Sequence, residues 1–395
     1  MSRARLLAEA IVAAAVLPAA VVAALAARRR RPARPAVLFG ATPIVNTKYW
    51  CRALRTQGVE ASNYAYDVSR IYGRDDFDHL ETDFWPRLSR FALGRMLRRY
   101  RAFFWGLRRF DVFVLDFRGG FLRGRLLSRL ELPLLRLAGK AIVAIPFGAD
   151  VIDIRRCPDE ATREALRRDY PGVDEQAEDV ARQVRHVDRW ASFVVTGGHL
   201  VDYLPRCDLV LPSALAIDTE AWKASRDPPA AGPIRVVHAS NHRALKGTDD
   251  VIAASDRLRR DGVEVELVLL EGVPNEEVRR ALEDAHVVAA GFVIGTYELF
   301  AVEAMSMSRP VLNYWRPDLL RRYSEESFAG ECPIVDTSVE QLEANIRLLA
   351  EDPELRARLG EEGRRYVERR HSYEAVGAVL ADVIERVWPP GRRGR

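Results

Sequence analysis

The sequence predicts an α/β protein of two domains with parallel sheets, tethered by an N-terminal membrane helix. Three observations lead there: an apolar run near the N-terminus, strand-like runs alternating with helix-like segments through most of the chain, and continuous helical spacing at its end. With 395 residues, 48% of them hydrophobic, the chain is long enough for two cores. Disordered, collagenous and disulfide-scaffold classes are excluded. Cys51, Cys157, Cys207 and Cys332 lie far apart with no CxxC pair, so neither a zinc site nor an oxidised framework is expected, and a reducing compartment fits.

Charge has to be located before it is interpreted. Arg3, Arg5, Arg28, Arg29, Arg30, Arg31 and Arg34 stand against Glu9 alone in the first 34 residues, which leaves the remainder slightly acidic. A nucleic-acid binder needs a basic footprint on its folded body, so no nucleic-acid partner is expected. Lysine occurs only at 48, 140, 223 and 246, so arginine runs carry little information here and a lysine carries more.

Residues 1–34 form the anchor and its basic flank. Leu6–Ala27 is 22 residues of Ala, Val, Leu and Ile broken by Glu9 and Pro18. As a helix it would reach about 33 Å, enough for a hydrocarbon core of ~30 Å, with Glu9 close to one interface and Pro18 introducing a kink. The arginines after the run outnumber those before it, which puts the N-terminus outside and the body in the cytosol as a single-pass protein of the cell membrane. They also argue against a cleaved signal peptide, despite Ala26-Ala27. The alternative, an Ala-rich helix packed on the body, would be favoured by a polar face, and the run has none.

Residues 35–225 form the first domain. AVLFG (36–40) and a helix-like stretch over 48–57 open it. FDVFVLDF (110–117), LLRLAGKAIVAIPFGADV (134–151, turning at Gly139) and CDLVLPS (207–213) add strands. RDPPAAGP (226–233) is the connector. The second domain, 234–388, predicts strands over 234–240, 263–272, 285–291 and 310–314, with helices over 248–261, 275–284 and 300–308 between them. Helices over 338–350, 353–358, 360–370 and 373–388 follow, then a basic tail at 389–395.

Several chemistries lack their motif: GxGxxG after a first strand, GxxxxGK[ST], HExxH and GxSxG are all absent. What stands out is VVHASNHRALKGTDD (236–250). Ser240 to Gly247 is a polar loop at the carboxyl end of a parallel strand, and Thr248 is placed to cap the next helix. Open α/β sheets bind ligands at that edge, and Arg243 with Lys246 would suit a diphosphate; as ordinary solvated loop charges they would need no ligand. Some fifty residues on, GTYELFAVEAMSMSRPVLNY (295–314) places Glu303 in an apolar helix start, where a carboxylate needs a partner. A ribose diol would supply one, as would solvent or nearby backbone N–H groups.

Together H-x-S-x-H-R-x-x-K-G-T and E-A-M-x-x-x-x-P-V resemble the retaining GT-B glycosyltransferases of glycosyltransferase family 4. The likeness extends to DPELRARLGEEGRRYVERRHSYEAV (352–376) and, more loosely, to GVEA (58–61) and GKAIVAIPFGADV (139–151) in the first domain. It implies two Rossmann-like domains facing a cleft, and transfer of a sugar from a nucleotide diphosphate donor with no metal or other cofactor. By resemblance Arg243 and Lys246 match the pair that neutralises the diphosphate, and Glu303 the acid that holds the ribose. Ser240, Gly247 and Glu298 complete the expected donor contacts. Positive charge where the leaving phosphate develops its own would replace a metal. The chain departs from the family at Gly295, where a second glutamate is usual, and at Ser308, where a glycine is. Asp150, ending a first-domain strand, either faces the cleft and contacts a sugar or caps the next segment.

From Phe84 to Phe110 eight arginines and no acid are interleaved with aromatic residues. This reads as a membrane-surface helix tilted toward a lipid-linked acceptor, or as a core helix with a solvated arginine face. The expected function is a membrane-tethered, cytosol-facing glycosyltransferase acting on a glycan or lipid-linked acceptor. The rival is a catalytically silent GT-B domain that binds a nucleotide sugar or scaffolds a membrane assembly.

Overall fold

A computed structural model describes residues 3–29, 31–68, 73–211, 215–323 and 329–389. The expected tail beyond residue 389 and parts of the N-terminal flank lie outside the described residues.

Helix α1 (Arg3–Ala27) precedes a first sheet of seven parallel strands: β1 (Val37–Ala41), β2 (Ala61–Ala65), β3 (His79–Leu80), β4 (Val112–Leu115), β5 (Ala141–Ala144), β6 (Phe193–Gly197) and β7 (Leu209–Leu211). Their spatial order is β3-β2-β1-β4-β5-β6-β7. β1, β4 and β5 are buried on both faces, which is why they read as unbroken apolar runs. The covering helices are α2 (Asn46–Thr56), α3 (Ala92–Arg109), α4 (Glu131–Leu137), α5 (Glu160–Asp169) and α6 (Val173–Trp190).

The second sheet has five parallel strands, β8 (Ile234–Ala239), β9 (Val265–Leu270), β10 (Val287–Gly291), β11 (Val311–Asn313) and β12 (Val335–Asp336), ordered β12-β11-β10-β8-β9. Strand order reverses between β8 and β10, so a crevice opens beyond their carboxyl ends. Around it lie α7 (Arg243–Lys246), α8 (Thr248–Arg260), α9 (Asn275–Glu283), α10 (Leu299–Ser306), α11 (Pro317–Leu320), α12 (Leu342–Glu351), α13 (Pro353–Arg370) and α14 (Tyr373–Val387).

Three expectations are corrected by packing. Helix α13 runs unbroken through Gly360, whose missing side chain admits the backbone of α10's exit: a Cβ there would stand 2.2 Å from the Ser308 carbonyl oxygen. Helix α14 leaves the second sheet and packs on α2, with Gly377 against the Ala53 carbonyl and Leu380, Val383 and Ile384 in the first domain's core. The expected connector at 226–233 lies on the second domain, where the Pro229 carbonyl accepts from His286 at 2.8 Å. Ile217 and Trp222 already belong to that domain's core.

The N-terminal segment differs most. It is a helix long and apolar enough to cross a membrane, yet it lies against α3 and α4 through Ala13, Ala20 and Ala24. Glu9, expected near the membrane interface, is buried against the body, accepting from the Tyr100 hydroxyl at 3.2 Å and pairing with Arg125 at 3.1 Å. At the other end the Trp388 indole donates to the Pro32 carbonyl, and Arg31 lies over its ring. Leu6, Leu7, Ile11, Val22 and Leu25 stay exposed.

Helix α3 buries the aromatic face that suggested a membrane surface. Met96, Tyr100, Phe103 and Leu107 are in the core, and Arg98 and Arg99 both bind the buried Glu81. Its approach and first turn, with Leu88, Phe91 and Leu93 exposed, keep the basic and apolar character.

Candidate functional site

His238, one residue before the end of β8, has no exposed surface and joins three elements. Its Nδ1–H donates to the Ala289 carbonyl of β10 at 2.7 Å, and Nε2 accepts from the Thr248 hydroxyl at 2.9 Å. Burial lowers its pKa to about 4, so it is neutral at ordinary pH. Thr248 is thereby taken from the capping role expected of it; the residue preceding α8 is Gly247, with φ +69°. A Cβ at Gly247 would approach that of Phe292 to 3.2 Å, so glycine here forms the corner between α7 and α8.

The crevice beyond β8 and β10 continues against the first domain as two adjoining cavities of 390 and 250 Å³. Val45, His242, Lys246, Glu298 and Leu299 line both. Of the expected basic pair only Lys246 faces them. Its ammonium is paired with the Glu298 carboxylate. Burial works to raise the Glu298 pKa, but the charge and hydrogen bond of Lys246 hold it below the ordinary range. Arg243 lines neither cavity. Glu271 and Asp249, on the outer side, take its guanidinium at 2.8 and 2.6 Å. The two-cation site expected from sequence is therefore one cation, already neutralised.

Glu303 meets the expectation of a buried acid. It is 3% exposed on α10 and lines the smaller cavity. Its one hydrogen-bond partner among the described residues is the Asn275 amide, at a long 3.4 Å. Burial pushes its pKa up to about 8, with Asn275 opposing weakly. Ser240, also buried, lines the same cavity, and its hydroxyl accepts from the His242 N–H at 3.2 Å.

The departures have structural reasons. Gly295 has φ +75°, and a Cβ there would come within 2.4 Å of that of Arg316, so no acid fits the position. Ser308 has φ +58°, the left-handed conformation that explains why glycine suits this place.

Asp150 does not line either cleft cavity. Its carboxylate accepts from the Phe147, Gly148 and Phe117 N–H groups at 3.1, 2.9 and 3.0 Å, which ties two loops together. Burial, then the neighbouring Asp116, raise its pKa to about 7 against those bonds. Neither expected role matches this geometry: the bonds run back to the preceding loop and across to residue 117 rather than to the segment that follows.

Two features escaped the sequence reading. His199, after the Gly197-Gly198 pair that ends β6, lines the larger cavity with Nδ1 unpartnered among the described residues, and burial lowers its pKa to about 4. The domains are also joined across the cleft. Asp169 accepts from the Ala244 and Leu245 N–H groups, Tyr170 stacks on His242 at 4.8 Å, and Asp202 holds Arg316 at 2.7 Å and Arg322 at 2.9 Å. A glycine pair beside a histidine was the only available signal for the first; the second had none.

No protein-family model matches the chain, and no curated protein is detectably similar to it in sequence. Solved structures do match. Sucrose-phosphate synthase from Thermosynechococcus elongatus is 13% identical, with TM-score 0.54 over 89% of this chain and 98% of its own. Anabaena HepE, solved with UDP-glucose, is 12% identical, with TM-score 0.54 over 89% and 100%. S. aureus TarM, solved with fondaparinux, alpha-GlcNAc-glycerol and UDP, is 8% identical, with TM-score 0.54 over 88% and 99%. The fold is GT-B. The paired cavities thus occupy the cleft of a GT-B molecule, with Lys246 and Glu303 on the second domain's wall and His199 on the first's. Among the described residues of this GT-B chain, no group of three or more His, Cys, Asp or Glu side chains could hold a metal ion.

Proposed function

We propose that the chain is a glycosyltransferase that takes a nucleoside diphosphate sugar and transfers the sugar to a glycan or lipid-linked acceptor at the cytosolic membrane face, without a metal. One observation carries the reading: Glu303, buried in the wall of the smaller cavity with a single long hydrogen bond among the described residues. An acid left so incompletely bonded suits a ligand that brings two hydroxyls. With its pKa at about 8 the group holds a proton at neutral pH, and a carboxylic acid can donate to one hydroxyl of a ribose diol while accepting from the other. Lys246 would then leave Glu298 for the diphosphate, whose negative charge grows as the sugar departs. Retention of configuration rests on the family resemblance alone. HepE and TarM, each solved with a UDP species, make UDP the first ligand to try.

The silent-binder reading is favoured by Gly295, which has no room for the second acid, and by Lys246 being neutralised by Glu298. Titration with UDP tests the site and product release tests the chemistry. Lys246→Ala should weaken UDP by about 1.5–3 kcal/mol. Glu303→Ala should lose more affinity than Glu303→Gln, because the amide still donates and accepts. An enzyme releases nucleoside diphosphate when nucleotide sugars are screened with membrane extract. Affinity losses without release from any donor would establish the silent binder. UDP affinity unchanged by both substitutions would remove the donor site.

A further inference from the structure

A third cavity, 520 Å³, lies in the first domain where β4 and β5 end, beside α6. It shares no lining residue with the cleft, yet one loop separates them: Phe147 and Gly148 line the cleft, Ala149 and Asp150 this cavity. Three arginines face it, Arg118, Arg123 and Arg129. None forms an ion pair among the described residues, in a chain where Asp153 and many other acids take an arginine and Glu81 and Asp202 take two each.

Aromatic rings instead fix two of them. The Arg118 guanidinium lies over Phe147 at 5.1 Å; that of Arg123 lies over Tyr66 at 5.3 Å and donates to its hydroxyl at 2.9 Å. Stacking orients a guanidinium and leaves its charge in place. The acids of the wall are already engaged. Asp150 accepts three backbone N–H groups, Glu131 accepts from Phe121 and Leu122 at 2.7 and 3.0 Å, and Asp179 pairs with Arg182. Burial raises both Asp150 and Glu131 to about 7, which thins their negative charge near neutrality. Asp116, buried behind the wall, feels the charges of Arg118 and Arg123 without pairing with either. The cavity is thus walled by three guanidinium groups that form no ion pair among the described residues, and their planar fork matches phosphate oxygens.

We propose that this cavity binds a phosphate or diphosphate group carried by the acceptor. This rests on the glycosyltransferase reading for the word acceptor; the anion site itself does not. Placement agrees with it: the 147–150 loop leads toward the cleft, while Arg125, two residues from Arg123, reaches Glu9 of the apolar helix α1. A phosphate joining a sugar to a longer chain would lie between the two. A lipid-linked phosphate and a soluble sugar phosphate share that chemistry.

The test is calorimetric titration of inorganic pyrophosphate into full-length protein saturated with UDP, so that the cleft is filled. Wild type should bind. Arg123→Gln with Arg129→Gln should weaken binding by at least about tenfold, and the exposed Arg129→Glu alone, which disturbs no packing, should also weaken it, with UDP affinity unchanged in both. Glucose 1-phosphate and phosphatidylcholine vesicles carrying a long-chain prenyl phosphate are then tried as competitors; whichever displaces pyrophosphate identifies the source. Pyrophosphate binding that is absent, or equal in wild type and both variants, overturns the proposal. Wild type that binds pyrophosphate through Arg129 but not UDP would overturn the donor reading and leave this site standing.

Discussion

Glu303 is held among Ala301, Val302, Ala304 and Met305 with only Asn275 to bond among the described residues, and that setting raises its pKa. The folded carboxyl titrates at about 8, against about 4.3 for an unperturbed glutamate. Between those values the folded state holds a proton that the unfolded chain releases, so stability is complete below the lower pH and falls as pH rises toward the upper. Glu303→Gln removes the titration. Its melting temperature relative to wild type should therefore climb between pH 5 and 8, as thermal unfolding across that range would record; a constant difference would mean the carboxyl is ionised and solvated. This residue was legible in sequence because an acid in an apolar helix has few bland explanations. Arg243 was not, because its partners Glu271 and Asp249 are set by β9 and α8 rather than by its own segment. Asp150 likewise offered two roles until the loop at 117 was seen to supply one of its N–H donors.

Elements were read best where both faces of a strand or one face of a helix repeat over several residues, as in β4, β8 and α8. β2 and β3 were missed because ASNYA and a two-residue strand carry no apolar run, their burial coming from neighbours. The break expected near residue 360 failed for a related reason: Gly360 and Gly363 let α13 approach Ser308 and Met305, a requirement of packing that looks like a helix breaker in sequence. α1 is the sharpest case. Composition described a free apolar span, whereas Glu9 pins it to Arg125 and Tyr100. Glu9→Ala would leave a mostly buried guanidinium without its carboxylate, a change that typically costs about 3–5 kcal/mol. The loss should appear as release of α1, with faster hydrogen exchange over α1 and the start of α3 and little change in the second sheet. Unaltered exchange over α1 would mean that the alanine face alone holds it.

Across the whole molecule the two sheets are joined by contacts that only the folded chain creates. Asp202 of the first domain engages Arg316 and Arg322 of the second, while Asp169 engages the α7 backbone and α14 crosses back to α2. Asp202→Ala should loosen the cleft while α14 keeps the halves attached, giving a larger radius of gyration by small-angle scattering and UDP affinity lowered by a few fold, about 1 kcal/mol; unchanged scattering would place the closure elsewhere. The sequence by itself determined the alternation of strand and helix, hence two parallel sheets, because buried strands and amphipathic helices leave periodic patterns in the chain that forms them. It also determined the polar edge beyond β8, where the cleft cavities lie, and the buried acid at 303, since a polar loop after a buried strand and a charge in an apolar helix are local anomalies. Tertiary structure alone decided which arginines keep a free charge, where α1 and α14 lie, and that Lys246 meets Glu298. Those outcomes depend on groups brought together from distant parts of the chain, and no local pattern encodes which of many arginines finds which acid.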